Sequence, residues 1–135
     1  MNLSLFIVVL GGRSLKSNIE IHDVRWVIGE SLENTFPELR DQWLGKISGL
    51  HIDSYKCIKY IDGYQIVITK SNKNNLNSHK IEDLKLWFVN LGGYNPKKMY
   101  EEHEFKLVVA QKAFEAKKKA KKNWETTLKN KQNDD

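Results

Sequence analysis

Two mostly apolar runs, Leu3–Leu10 and Leu84–Leu91, each end in a glycine pair, Gly11-Gly12 and Gly92-Gly93. Runs of this length predict buried central strands. The glycine pairs predict tight turns that end them. A polar loop follows each pair. Stretches rich in Val, Ile and aromatic residues then predict second strands from about Glu20 to Ile28 and from about His103 to Ala110. A first helix is expected over about Ser31–Leu44, with Ser31 as N-cap and Pro37 shortening or kinking it. A second is expected over Lys112–Lys129, where Ala113, Ala116, Ala120, Trp124 and Leu128 recur at steps of three and four. Between these halves, Leu50–Ile61 and Tyr64–Thr69 alternate around Asp62-Gly63, a strong hairpin signal. Lys70–Lys80 is polar and Asn-rich, as in a surface linker.

The two halves are related. A shift of 81 residues aligns Leu3–Trp43 with Leu84–Trp124 without a gap and gives 11 identities in 41 positions. Average residue usage would give roughly 6 to 7 per cent by chance. The matches include both glycine pairs, Glu20 with Glu101, His22 with His103, and Trp43 with Trp124. The expected fold class is therefore α+β: two tandem ββα repeats, an extra β-hairpin after the first, and helices packed on a mainly antiparallel sheet. One compact domain of 135 residues would hold a complete first copy (1–69), a linker (70–80) and a truncated second copy (81–135).

Composition narrows the class of protein. At 40% hydrophobic and 29% charged, the chain reads as globular. No apolar run approaches the length of a membrane span, and the N-terminus lacks the pattern of a signal peptide. Cys57 is the only cysteine, which excludes an intrachain disulfide and points to a reducing, cytoplasmic setting. The net charge of +5 is local. Residues 1–70 carry eight basic and eight acidic side chains, while 112–131 carry eight Lys against Glu115 and Glu125.

The candidate chemistry lies in the neutral half. Glu20-Ile21-His22-Asp23 recurs as Glu101-Glu102-His103-Glu104. In a strand, Glu20 and His22 share a face. A carboxylate beside an imidazole suits a general base or a pair of metal ligands, or simply fixes the glycine loop. In His51-Ile52-Asp53-Ser54-Tyr55, His51, Asp53 and Tyr55 share a face if the segment is extended. Together the segments offer two imidazoles and several carboxylates, enough for a divalent metal. Arg13, after the first glycine pair, could meet an anion, although no phosphate-loop spacing is present. Lys117, Lys118, Lys119, Lys121 and Lys122 cluster on the second helix, where a solvated face is the ordinary role.

Taken together, Leu5–Gly12, Asn18–Gly29, Trp43, Leu50–Tyr55, Asp62-Gly63-Tyr64 and Phe88–Tyr94 resemble the bacterial family called domain of unknown function 1543. The resemblance covers residues 3–70 well and 84–124 more loosely, and no second hairpin pattern follows Trp124. It implies a small domain in one or two copies and assigns no activity. The leading expectation is a non-enzymatic binding module for a small anionic ligand or a protein partner. Its site would hold Glu20, His22, Asp23, His51, Asp53 and Arg13, with Glu101, His103 and Glu104 as second-copy equivalents. The alternatives are a metal-dependent hydrolase, with His22, His51, Asp23 and Asp53 as ligands and Glu20 as base, and non-specific nucleic-acid binding by the Lys-rich helix. An open sheet edge would favour a homodimer.

Overall fold

The first apolar run forms strand β1 (Ser4–Gly12), and this strand is central as expected. It lies between β2 (Ile21–Gly29) and β3 (His51–Ile58) in an antiparallel sheet of order β2-β1-β3. The computed structural model describes residues 2–70 and 83–133, without the side chains of 123 and 125–133. Its α+β elements fall into two compact units, Met1–Tyr60 with Gln65–Lys70, and Ile61–Tyr64 with Ser71–Asp135.

In the first unit, alternate β1 residues Phe6, Val8 and Leu10 pack with Val27, Leu39 and Trp43 into the core. Burying such side chains is the main favourable contribution to folding, about 1.5–3 kcal/mol each. The first helix is shorter than expected. A 3₁₀ turn (Glu33–Thr35) leads into α1 (Phe36–Gln42), with Pro37 in its first turn, where the missing amide costs nothing. Ser31 is not the N-cap of a long helix: Leu32 precedes the 3₁₀ turn, and Ser31 Oγ accepts the Asn34 N–H at 3.3 Å.

The expected hairpin divides differently. Most of its first arm becomes β3 and pairs with β1 instead. Only β4 (Tyr60–Ile61) and β5 (Tyr64–Gln65) form the hairpin itself. Its turn residues Asp62 and Gly63 have φ of 52° and 81°, the left-handed pair of a type I′ turn. The Asn-rich stretch lies, from residue 71 to 82, outside the described residues.

The second unit contains β6 (Lys85–Gly93), β7 (Glu102–Ala110) and α2 (Ala113–Asn133). The β1–β2 register runs from Ser4↔Gly29 to Gly12↔Ile21, and the β6–β7 register from Lys85↔Ala110 to Gly93↔Glu102. Each pair is the other displaced by 81 residues. The cores correspond in the same way: Val8, Val27, Thr35 and Leu39 are buried, as are Val89, Val108, Ala116 and Ala120.

The glycine pairs do not end their strands. Gly11 and Gly12 are paired β1 residues, and neither has positive φ. What they provide is room. A Cβ on Gly12 would stand 2.7 Å from Trp43 Cζ2, and one on Gly93 would strike the Trp124 ring. The second glycine of each pair thus seats a tryptophan from the helical side.

Candidate functional site

The first glycine of the pair seats polar groups. Gly11 lies opposite His22 on β2 and opposite His51 on β3. With no side chain between them on the central strand, the flanking imidazoles can lean together over a notch. The β1–β3 register shifts between Val9 and Leu10, with Val9 opposite Ser54 and Leu10 opposite Ile52. Asp53 is the extra residue of this bulge and turns toward the same notch. A Cβ on Gly11 would be 2.5 Å from Glu20 Oε1, 2.7 Å from His51 Nε2 and 3.0 Å from Asp53 Oδ2.

Four side chains therefore converge. His51 Nε2 is 2.7 Å from Glu20 Oε1 and 3.0 Å from Asp53 Oδ1. His22 Nε2 is 3.3 Å from Asp53 Oδ2 and 3.9 Å from Glu20 Oε1. All four residues are exposed. The remaining nitrogen of His51, Nδ1, lies 2.9 Å from the Gly49 carbonyl. That carbonyl raises the His51 pKa most. Slight desolvation opposes the rise, and the negative charges of Glu20 and Asp53 add to it. Both ring nitrogens face acceptors, so the imidazolium is well satisfied.

Such a set can hold a divalent cation. Glu20, His51 and Asp53 offer ligand atoms within 4.8 Å of one another. Tetrahedral zinc with bonds of about 2.0–2.2 Å places its ligand atoms roughly 3.3–3.6 Å apart. The observed spacings bracket that value. A carbonyl on the far nitrogen is also the usual partner of a metal-bound histidine, because it fixes the tautomer and the ring orientation.

Not every expected residue joins the cluster. Asp23 turns away and bonds the Arg25 Nε at 3.1 Å and the Val24 N–H at 2.8 Å. Arg25 in turn reaches the Gln42 carbonyl at the end of α1. Alternation along β2 puts Asp23 on the face opposite His22. Tyr55 does not share the face of His51 and Asp53 either, because the bulge breaks the alternation and sets it opposite Val8. Arg13 is not among the converging side chains; its backbone carbonyl accepts the Lys46 N–H at 2.7 Å.

The second unit repeats only half of the arrangement. Glu101 and His103 approach to 3.8 Å beside Gly92, and Glu104 stands opposite Leu91. Among the described residues, β6 has no partner besides β7, so nothing there corresponds to His51 and Asp53. On α2, Lys117, Lys118, Lys119, Lys121 and Lys122 are all exposed, and Lys119 pairs with Asp62 at 2.9 Å. No helix among the described residues is long and apolar enough to cross a membrane.

A small α+β protein with paired glycine–tryptophan seats and one polar notch matches a known family model. The Domain of Unknown Function (DUF1543) model aligns with residues 17–68 and 98–135, two segments consistent with a tandem-copy domain, and the chain belongs to that family. The first segment contains all four clustered residues, and the second contains Glu101 and His103. The crystal structure of protein Il1583 from Idiomarina loihiensis is similar, with a TM-score of 0.68 and 36% identity. The match covers 85% of this chain and 67% of that one. No curated protein matches.

Proposed function

We propose that the protein is a binding module for a divalent transition cation, held by Glu20, His22, His51 and Asp53. The convergence of two imidazoles and two carboxylates over Gly11 carries this reading. The same geometry argues against a small anion seated directly in the notch. Glu20 and Asp53 would repel it, and Arg13 is not among the converging groups. It also favours binding over hydrolysis. Glu20, the carboxylate that would have to act as base, stands in the donor set, and Asp23 is bonded to Arg25. A bound cation also opposes the mutual repulsion of the two carboxylates when His51 loses its proton.

The two units are read as copies of one ββα ancestor. The common 81-residue displacement of register, core and glycine–tryptophan seats supports this. In that reading the first copy kept a full donor set and the second kept half.

The test is calorimetric titration of chelator-stripped protein with Zn²⁺, alongside His51→Ala. Saturable binding that is lost in the variant is expected. Binding no tighter than millimolar, or binding that His51→Ala leaves intact, would overturn the reading.

A further inference from the structure

Beside the notch, a cleft of about 270 Å³ opens between α1 and the start of β3. Its walls are mostly apolar: Leu10, Phe36, Leu39, Leu50 and Ile52. Among the described residues, Arg40 and His51 are its only charged or titratable lining residues. Arg40 is exposed, and its guanidinium has no ion pair or side-chain hydrogen bond among the described residues. No carboxylate among the described residues lines this cleft, in contrast to the notch.

We propose that this cleft is a second site, which takes a small carboxylate with an apolar body of several carbons. An aliphatic or aromatic body fits the Leu, Ile and Phe walls. The size suits a compact ligand, since sites for drug-sized ligands are usually about 300–1,000 Å³. A guanidinium is the planar, permanently charged partner that pairs a carboxylate through two parallel hydrogen bonds. A cation on a mostly apolar wall selects a negatively charged end over a neutral polar one, because the charge-assisted, two-bond pair with a carboxylate is stronger than a hydrogen bond to a neutral group. The proposal does not depend on cation binding in the notch. It assigns the small anionic ligand to α1 and Arg40, and His51 is the one lining side chain that also stands among the metal donors.

Octanoate and its neutral analogue octanamide, added to the chelator-treated full chain, test this by NMR. Octanoate should shift the amides of Leu39, Arg40, Leu50 and Ile52 saturably, and octanamide should bind at least tenfold more weakly. Arg40→Gln should remove that preference and leave the weak octanamide binding in place. An Arg40→Lys variant keeps the charge and should retain part of the preference. Equal binding of both probes, or shifts outside the cleft only, would overturn the proposal. So would an undiminished preference in Arg40→Gln. Because chelator is present, these outcomes are independent of whether the notch binds a cation.

Discussion

His51 occupies the space that Gly11 leaves. A methyl group on Gly11 would stand 2.7 Å from His51 Nε2, well inside van der Waals contact. Gly11→Ala therefore places a carbon in the middle of the donor set. The displaced atoms are ends of exposed side chains, which can swing outward at little cost to the fold. The variant should lose at least tenfold in Zn²⁺ affinity by calorimetry, with a change in unfolding free energy below about 1 kcal/mol. Unchanged affinity would show that the donors do not act over Gly11.

Much of this site was legible in the sequence. Strand alternation alone puts Glu20 and His22 on one face, and the 81-residue repeat marks both. The exclusion of Asp23 follows from the same alternation, since it sits one residue from His22 and so faces the helical side, where Arg25 holds it. Two features were not legible. The bulge at Asp53 is a register decision between two strands, and no local pattern in His51–Tyr55 announces it. The role of the glycines was misplaced for a related reason. A Gly-Gly pair after an apolar run signals a turn by its local freedom, whereas here both residues sit in a strand because of what approaches them from other elements. The shared Trp43 and Trp124 were the available clue, as each glycine pair recurs with one tryptophan 31 residues after its second glycine.

Gly12→Ala should destabilise the first unit. Its Cβ would meet Trp43 Cζ2 at 2.7 Å, and that ring is buried. It cannot swing away freely, because its Nε1–H donates to the Lys46 carbonyl at 2.9 Å. Overpacking of this kind costs about 1–3 kcal/mol, and Trp43→Ala, which empties the seat, about 3–5 kcal/mol. Denaturant unfolding followed by circular dichroism would report both. A Gly12→Ala chain as stable as the parent would refute the seat.

Cation stoichiometry should be one per chain. Glu101 and His103 offer only two donors, too few for tight binding of a tetrahedral ion. His103→Ala should leave the Zn²⁺ isotherm unchanged, while His22→Ala weakens it and His51→Ala abolishes it. Two equivalent ions per chain would mean that residues outside the described set complete the second site.

Within the second unit, Asp62 at the hairpin tip contacts both β7 and α2. Its Oδ2 accepts the Val109 N–H at 2.7 Å and pairs with Lys119 Nζ at 2.9 Å. Partial burial pushes the Asp62 pKa up, but the Val109 N–H and the Lys119 ammonium outweigh it and hold the carboxyl below its ordinary 3.8. A carboxyl with a depressed folded pKa stabilises the fold above the unfolded value, and loses that contribution as pH falls through the folded one. The contact should thus be fully present at pH 7 and weaken only below about pH 3.8. Asp62→Ala removes both interactions, worth about 1 kcal/mol for a partly exposed group. Asp62→Asn keeps an acceptor for Val109 and loses only the attraction of Lys119. Amide hydrogen exchange at Val109 separates the two. Its protection factor at pH 7 should fall severalfold in Asp62→Ala and less in Asp62→Asn. Parent and Asp62→Asn should converge once the carboxyl is protonated. A Val109 amide equally protected in all three proteins at pH 7 would mean that Asp62 does not hold this edge of β7.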